Sequence, residues 1–575
     1  MTATTASTAP TTDTDSDAEH KQILRVLVGL LLALFVAMLS GTIVANALPV
    51  IIAELDGTQQ QYTWVVTATL LASTAVTPLF GKLADLYDKK KLLLIGIGIF
   101  AVGSLLSGLS TSAGMLIGFR VIQGVGLGAL QALVQITIAT IISPRQRGRY
   151  AGYMGAVMAF ATVSGPLLGG LIVDVSWLGW RWCYWSAIPL ALIAMVVLAR
   201  RLHVPPPSRT EVKVDWLGAT LISAAVTLLL LWVSFAGPTH SYDWISWQTA
   251  VMVPGALALF GLFIWVESRV AEPIVPLWIL RERTTTLAIV ASIAVGVGMF
   301  GASVFLGQYF QIARGYSPTE AGLLTIPMML GLLVSSTVSG RFVTQIGRWK
   351  PFVVWGLVTF TAGMGLLGSI QYGTSLWLIG VFMLVAGIGL GASMQNLVLA
   401  VQNTVPLSDM GAATSSITFF RSLGGAMGVQ VLGAVFASHV SSLTATRLTD
   451  AGIPVAPGGD GGGSLDLSEL PDAVADIIRS AYGDSIGLLF LIGAGLALVG
   501  LVAALFMRGT HLRDTVDLKA AVAEAAEEDV AVETAAATAL GAAVAVDETA
   551  DQTADETADA VDDADGVTAG ARSTT

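Results

Sequence analysis

An arginine and a glutamine stand inside an apolar stretch of the chain, where such side chains are costly. Arg120 and Gln123 belong to the segment LIGFRVIQGVGLGA. A guanidinium in the hydrocarbon core of a bilayer costs at least ~2.5 kcal/mol, so Arg120 is expected to face a protein-lined or watery cavity and to have a polar partner there. Because Arg120 lies near the start of its apolar run, a structural arginine that reaches the membrane surface is the alternative interpretation.

A polar loop with the sequence GKLADLYDKKK separates two apolar runs and combines three kinds of residue. Gly81 permits a tight turn. Asp85 suits a position beside a helix N-terminus or a basic side chain, since both attract an anion. Lys89 and Lys90 suit anionic lipid headgroups. A role in membrane topology alone explains these lysines fully but explains Asp85 poorly.

The composition indicates that membrane-spanning helices position these residues. The chain has 575 residues, of which 54% are hydrophobic and 12% are charged, whereas soluble domains carry about 25% charged residues. Its mean hydropathy is +0.75. The net charge of -11 arises at the C-terminal end, because residues 511–575 hold 16 acidic and only three basic residues. The acidic balance therefore describes a tail and not the membrane-embedded body.

Fourteen apolar runs predict an all-α polytopic membrane protein, since each is long enough to cross a bilayer as a helix. The predicted spans are 23–50, 63–83, 92–110, 114–142, 150–173, 182–200, 216–236, 248–266, 286–311, 319–340, 352–371, 375–400, 411–437 and 484–507. An even number of spans puts both termini on one side. Basic residues concentrate in the short loops of that side, so both termini are predicted to be cytoplasmic.

Two pairs of similar segments indicate duplicated halves. GKLADLYDKKK at Gly81 recurs as GRFVTQIGRWK at Gly340, and GVGLGA at Gly124 recurs as GIGLGA at Gly387, at nearly the same spacing. Chance similarity between glycine-rich apolar helices is the alternative for either pair alone. Duplicated halves of this kind place the substrate path at their interface, near the middle of the membrane.

The duplication divides the chain into segments with different expected roles. These are a polar N-terminus at 1–22, a first six-helix half at 23–200, two inserted helices at 216–266, a second six-helix half at 286–507 with an outer loop at 438–481, and an acidic tail at 508–575. The stretch LPDAVADIIRSAYG before the last span is expected to form a short amphipathic helix on the outer surface. The tail is expected to stay disordered, because its composition offers little apolar surface to bury.

Several motifs in the same order resemble the major facilitator superfamily, and the fourteen-span plan resembles its drug:proton antiporter branch. They are the loop GKLADLYDKKK, the fifth-span sequence GAVMAFATVSGPLLGG, the first-span sequence LSGTIVANALP, and the later sequences GQYFQIARGYSPTEAGL and FFRSLGGAMG. The resemblance covers about residues 23–507. It implies the major facilitator fold, with two six-helix halves and two inserted central helices.

The resemblance implies that the polar loop latches the two halves together on the cytoplasmic side. The expected latch residues are Gly81, Asp85, Lys89 and Lys90. The family usually has glycine at the position of Asp88. The second copy of the loop keeps that glycine as Gly347 but has Thr344 in place of the aspartate. The latch is therefore expected to be asymmetric and to depend on the first copy.

The resemblance also assigns an antiporter motif to the fifth span, and this motif favours export over uptake. Its expected residues are Gly155, Gly165, Pro166, Gly169 and Gly170. Small residues allow close helix contact, and proline bends a helix by removing one backbone hydrogen bond. Since glycine-rich helices pack closely in many membrane proteins, only the complete motif in this span carries the functional interpretation.

Polar residues inside the spans are candidates for proton coupling or for the substrate cavity. They are Ser40, Thr42, Asn46, Arg120, Gln123, Gln308, Gln311, Gln395, Asn396 and Arg421. In the family the arginine corresponding to Arg120 is tied to proton transfer. Each of the others taken singly is more often a contact between helices than a ligand contact.

The first span raises a question about proton coupling, because many relatives have aspartate where this chain has Ser40. Serine does not titrate in an accessible range, and arginine stays protonated. The remaining candidates are a proton carried on the substrate or the carboxylates at the outer ends of the spans, which are Glu54, Asp174, Glu320 and Asp484.

The leading hypothesis is that the chain exports small lipophilic compounds or drugs across the bacterial cytoplasmic membrane by proton-coupled antiport. The alternatives are an exporter of one native metabolite or lipid, and a non-transporting membrane sensor or scaffold that signals through the acidic tail. The expected partners are a small-molecule substrate, protons and membrane lipids, with no nucleic acid, and the chain is expected to be a monomer.

An enzymatic function is disfavoured by the sequence. The chain has no P-loop, no HExxH and no GxSxG motif, so the residues for ATP-driven transport or intramembrane hydrolysis are missing. Cys183 is the only cysteine and the five histidines are scattered, so no cofactor and no metal site are expected.

Overall fold

The computed structural model describes residues 13–57, 59–175, 177–204, 214–237, 242–270, 272–453 and 471–512, and these residues are almost all helical. The α-helices are α1 (Asp13–Glu54), α2 (Gln59–Leu86), α3 (Lys89–Gly108), α4 (Ala113–Ile141), α5 (Pro144–Asp174), α6 (Trp182–Trp185), α7 (Ala187–Arg201), α8 (Trp216–Phe235), α9 (Trp247–Glu267), α10 (Arg283–Gln308), α11 (Pro318–Leu324), α12 (Ile326–Ile346), α13 (Lys350–Leu367), α14 (Leu376–Thr404), α15 (Met410–Asp450) and α16 (Asp472–Phe506).

Fourteen stretches of helix in the described residues are long and apolar enough to cross a membrane. The sixteen helices form fourteen spans because α6 and α7 together form one span, and α11 and α12 together form another. The predicted all-α class with fourteen spans is confirmed. The predicted acidic tail lies outside the described residues from position 513 onward, as do residues 1–12 of the polar N-terminus.

Local sequence explains where the helix at the start of the second half changes course. Tyr309–Ala313 continues α10 as one π-helical turn. Ser317 then begins α11 with a capping box, in which the Ser317 hydroxyl accepts a hydrogen bond from the Glu320 amide and the Glu320 carboxylate accepts one from the Ser317 amide. Pro318 occupies the first turn, where the missing amide hydrogen costs nothing.

The loop before the last span is shorter than predicted. α15 extends to Asp450 and α16 begins at Asp472, so the expected loop at 438–481 is mostly helical at both ends. The expected separate amphipathic helix is also wrong, because Asp472–Phe506 is one continuous helix. A hydropathy pattern cannot detect the two helical extensions, since a helix outside the bilayer needs no apolar surface on its whole circumference.

The two halves of the protein repeat the same packing. In the first half (α1–α7), α4 packs on α2 and α3, while α1 packs on α5 and α7. In the second half (α10–α16), α14 packs on α12 and α13, while α10 packs on α15 and α16. The fold therefore contains two six-helix units of the same architecture, as the repeated segments predicted.

The repeated glycine segment is explained by these helix contacts. A side chain at Gly124 or Gly128 would collide with the backbone of α2, and one at Gly126 would collide with the backbone of α3 at Phe100. The second copy makes the same contacts with α12 and α13 through Gly387, Gly389 and Gly391. Glycine at alternate positions lets one helix approach two neighbours at backbone distance.

The halves meet along two seams, and in the described part of the chain the inserted helices pack on one of them. α5 packs on α12 at the first seam, and α2 packs on α15 at the second. The insert (α8 and α9) lies on the second seam, where α8 contacts both α2 and α15. Ile222 and Val226 of α8 belong to the same buried apolar cluster as Phe419 and Leu423 of α15.

Candidate functional site

Asp85 joins the two halves at the end of the bundle where α2 ends and α15 begins, here called the latch end. Its Oδ1 accepts a hydrogen bond from the Gly411 amide at 2.7 Å, and its Oδ2 accepts one from the Ala412 amide at 2.8 Å. Both amides belong to the first turn of α15, where backbone N–H groups have no partner within the helix. A carboxylate is favoured there by the free donors and by the helix dipole.

Gly81 allows the contact that Asp85 needs. A β-carbon at Gly81 would overlap the Ser415 side chain and would lie 2.9 Å from the carbonyl oxygen of Gly411. Any larger residue would push α2 away from α15 at the latch end.

Of the remaining loop residues, Lys89 lies close enough to Asp85 to act on its carboxylate electrostatically, whereas Asp88 and Lys90 interact at the start of α3. Asp88 accepts a hydrogen bond from the Lys90 amide at 2.9 Å and caps the N-terminus of α3. Asp88, which occupies a position where the family usually has glycine, therefore caps the start of a helix. In the second copy, Gly347 ends α12 in the left-handed conformation at φ +71°, and the Thr344 hydroxyl donates to the Gly340 carbonyl of its own helix. The asymmetry of the latch remains a prediction.

Arg147 forms a second bridge between the halves at the latch end. It is 7% exposed, and its Nη1 donates to Oε1 of Gln402 on α14 at 2.9 Å. Its other donors bind the carbonyls of Ile142 and Ala139, and Gln402 donates to the Thr414 hydroxyl of α15 at 3.1 Å. The sequence did not single out Arg147. The signal that was available is its place in the first turn of α5, three residues after Pro144, which begins the helix.

A hydrogen-bonded network surrounds Arg120 within the first half. The guanidinium donates to Oε1 of Gln123 at 2.6 Å and to the carbonyl of Val65 at 3.4 Å. It also lies over the ring of Tyr184, 5.9 Å from the ring centre, within the range of a cation–π contact. Gln123 in turn donates to the hydroxyl of Ser40 at 3.0 Å. No acidic side chain of the described residues pairs with Arg120, so neutral groups from three helices, α2, α4 and α6, hold this buried cation.

The antiporter motif of α5 lies between the two halves. Gly165 approaches Thr42 of α1, and a β-carbon at Gly169 would lie 2.7 Å from the carbonyl oxygen of Ile43. On the other face of α5, a β-carbon at Gly155 would lie 2.9 Å from the Ser336 side chain of α12. At Gly170 it would lie 3.1 Å from Thr319 of α11. The side chains of Asn46 and Pro166 lie outside the described part of the structure.

The polar residues expected in the second half do not form one cluster. Gln308 accepts a hydrogen bond from the Tyr482 hydroxyl at 3.1 Å, and Gln311 is half-buried in the π-helical turn. Asn396 donates to the Ala392 carbonyl of its own helix at 2.7 Å. Arg421 is 6% exposed.

A small cavity of about 40 Å³ near the latch end brings predicted and unpredicted residues together. It is lined by Gln135, Arg147, Met154, Gln395, Asn396 and Gln402, among others. The first-half residues of this group come from α4 and α5, and the second-half residues come from α14. The two halves therefore enclose a partly polar space beside the bridge that Arg147 makes.

The carboxylates expected at the opposite end are engaged locally or exposed. Glu320 is exposed in its capping box, and Glu54 is exposed near the end of α1. Asp484 forms an ion pair with Arg447 at 2.6 Å and accepts the Tyr372 amide at 2.8 Å. The side chain of Asp174 lies outside the described residues.

Two repeated six-helix units, bridged at one end by Asp85 and Arg147, define a polytopic membrane transporter. The family model of the Major Facilitator Superfamily matches residues 30–429. The chain belongs to this superfamily, and it is therefore a transporter and not an enzyme.

The chain is similar to transporters from several organisms. It is 37% identical over 493 residues to the uncharacterized MFS-type transporter Rv1877 of Mycobacterium tuberculosis, covering 86% of this chain and 70% of that protein. It is 36% identical over 434 residues to the multidrug transporter protein MdtP of Bacillus subtilis, covering 75% of this chain and 79% of that protein.

A solved structure supports the fold alone. The proton:xylose symporter XylE, bound to 6-bromo-6-deoxy-D-glucose, matches with a TM-score of 0.57 at 15% identity. The match covers 87% of this chain and 99% of that chain.

Proposed function

We propose that this transporter exports small lipophilic compounds, including drugs, across the bacterial cytoplasmic membrane in exchange for protons. The observation that carries the proposal is the pair of bridges at the latch end, Asp85 to α15 and Arg147 to α14. Both bridges use groups that must separate if a substrate is to reach the interface of the halves from that end. Alternating access requires such a closure to form and break in every transport cycle.

The direction of transport is proposed from the fifth helix and from the relatives. The complete antiporter motif is present in α5, and its glycines let α5 contact α1 on one face and α12 on the other. A relative with 36% identity is named a multidrug transporter protein. Export of chemically varied compounds is the function that combines these two observations.

The proposed orientation places the latch end and both termini in the cytoplasm. The support is the concentration of lysine and arginine at the latch end, which the positive-inside rule assigns to the cytoplasmic side. In this orientation the structure represents a state closed to the cytoplasm. We further propose that the transporter acts as a monomer in contact with membrane lipids, since each chain contains both halves of the substrate path.

A susceptibility panel tests the proposed export. The gene is expressed in a bacterial strain deprived of its own exporters, and growth is measured with lipophilic cations, neutral antibiotics and fatty acids. We expect raised tolerance to several unrelated lipophilic compounds with the wild-type protein, and no raised tolerance with an equally abundant Asp85→Asn variant. Tolerance limited to one compound would favour a dedicated exporter instead.

A further inference from the structure

Two acidic side chains at the ends of the inserted helices are almost fully buried. Asp215, which precedes α8, is 8% exposed, and Glu267, the last residue of α9, is 3% exposed. The predicted insert at 216–266 stops one residue short of each, so no role was predicted for either residue. Burying a carboxylate is costly unless it is paired, hydrogen-bonded or protonated.

The two carboxylates converge on one glycine. Asp215 Oδ1 accepts the Gly218 amide at 2.8 Å, and Glu267 Oε1 accepts the Ile274 amide at 3.1 Å. A β-carbon at Gly218 would lie 3.0 Å from Glu267 Oε1 and closer still to Asp215 Oδ2. The second oxygens, Asp215 Oδ2 and Glu267 Oε2, are buried and have no hydrogen-bond partner among the described residues.

The chemistry of this pair points to a bound proton. Two neighbouring carboxylates in a desolvated site repel each other when both are ionised. If either group binds one proton, the repulsion between the two carboxylates is removed. The protonated oxygen then also becomes an O–H donor, which can form a hydrogen bond with a carboxyl oxygen that otherwise has no partner. Backbone amides hold one oxygen of each group, so the unpaired oxygens remain available for this proton.

The surroundings connect the pair to the latch. Among the described residues, the charged groups that face Glu267 are Asp215, which caps α8, and Lys82 from α2. Lys82 is 3% exposed, and its Nζ lies 2.7 Å from Oε2 of Glu272, in the segment that follows α9. Lys82 is also next to Gly81 and one helical turn before Asp85. The charge on the pair therefore acts on the turn of α2 that touches α15.

We propose that Asp215 and Glu267 form a proton-binding site on the insert, which holds one proton while the latch end is closed and releases it when the latch end opens. The proton leaves a carboxyl oxygen for water on the latch side, and the pair then carries two negative charges. These charges attract Lys82 and shift α2 relative to α15. The inference rests on the proposed function, because the pair would carry the proton that is exchanged for substrate. Ser40 cannot carry this proton, since serine does not titrate in an accessible range.

The test measures latch opening without any substrate. Spin labels are attached to the Tyr87→Cys and Ser408→Cys positions, which are exposed on either side of the contact between α2 and α15, in a Cys183→Ala background. Distances between the labels are recorded by pulsed electron resonance in lipid nanodiscs from pH 5.5 to pH 8.5. One linked proton changes the ratio of open to closed molecules by up to about tenfold per pH unit.

With the native pair we expect the long-distance population to grow as the pH rises. Glu267→Gln and Asp215→Asn imitate the protonated state, so both variants should keep the short distance at every pH. Asp243 is an exposed carboxylate in the loop joining α8 and α9, and the control variant Asp243→Asn should respond like the native protein. The same pH response in both Glu267→Gln and Asp215→Asn, or no response in the native protein, overturns the inference. If the pH response is as expected but no export is observed, the result counts against the proposed export function and not against the proton-binding site.

Discussion

Among single residues, the arrangement around Arg120 shows how a buried charge is kept without an acidic partner. Gln123 takes the place of a carboxylate on the guanidinium and transmits the contact to Ser40 through its amide nitrogen. The sequence predicted that Arg120 needs a polar partner, because the energetic cost of a lone charge in a bilayer follows from residue type alone. It could not predict that Tyr184 contributes, since that contact depends on how α6 folds back on the bundle.

Removing the buried cation should stop export. We expect Arg120→Ala to lower efflux to the level of cells without the transporter, because Gln123 then loses the partner that orients it between α1 and α4. Gln123→Leu should lower efflux in the same direction, since it leaves Arg120 buried with one fewer neutral acceptor. The measurement is dye efflux from energised cells at matched protein abundance. Wild-type efflux in an abundant Arg120→Ala variant would exclude a role in the cycle.

Ser40 offers a test of substrate charge preference. Ser40→Asp introduces a carboxylate within hydrogen-bond distance of Gln123 and close to Arg120. The positive charge of Arg120 offsets part of the added negative charge, and the remaining negative charge favours the binding of cationic substrates. We expect the preference to move toward lipophilic cations, measured as the ratio of tolerated cation to tolerated neutral compound. Ser40→Asn has a similar shape and no charge, so it serves as the control. An equal shift in both variants would show that shape and not charge is responsible.

At the scale of helices, the latch and the glycine contacts are the elements that set how the halves approach. The repeated loop and the repeated glycines were visible in the sequence, because both depend on residue type at fixed spacing. The cap that Asp85 forms on α15 was expected only as an interaction with some helix N-terminus. Its partner lies more than 300 residues away in the chain, and a single sequence carries no signal for such a pair.

Neutralising the latch should impair transport more than folding. Asp85→Asn keeps one acceptor oxygen but loses the charge and one of two amide contacts, and hydrogen bonds to charged groups contribute about 1.5–3 kcal/mol each. We expect at least a tenfold loss of efflux with abundance and melting temperature close to those of the wild type. Asp88→Asn, which alters the neighbouring cap of α3, should have a much smaller effect. Equal losses in both variants would assign the effect to the loop as a whole.

The helix contact at Gly126 is expected to be sensitive to a single methyl group. Gly126→Ala places that group on the backbone of Phe100, and overpacking of this kind costs about 1–3 kcal/mol. Gly118→Ala on the same helix meets nothing within 4 Å and should leave stability unchanged or slightly raised. Thermal unfolding in detergent compares the two variants. A melting temperature for Gly126→Ala equal to that of Gly118→Ala would contradict the close contact.

For the whole molecule, hydropathy was sufficient to predict fourteen spans, and the repeated segments were sufficient to predict two halves. The covering of one seam by the insert was not predictable, because the outer surfaces of all these helices are apolar whether they face lipid or protein. The burial of Asp215 and Glu267 was not predictable either, because acidic residues at the ends of spans usually face water. The position of the insert on one seam appears only when the helices are placed in three dimensions.

Membrane orientation is tested by chemical labelling from each side. In a Cys183→Ala background, Gln146→Cys at the exposed start of α5 should react with an impermeant maleimide only after the cells are opened. Ile245→Cys, which replaces a side chain that is 98% exposed in the loop joining α8 and α9, should react in intact cells. The reverse pattern would place the latch end outside and would overturn the proposed direction of export.

The most direct test of proton-driven export uses purified protein in liposomes with an imposed pH gradient. An acidic lumen should drive accumulation of a lipophilic compound identified in the susceptibility panel, because protons leaving the lumen exchange for substrate entering it. The accumulation should collapse when a protonophore is added and should be absent with Asp85→Asn. Accumulation that is equal with and without the gradient, or that survives the protonophore, would contradict proton-coupled antiport by this transporter.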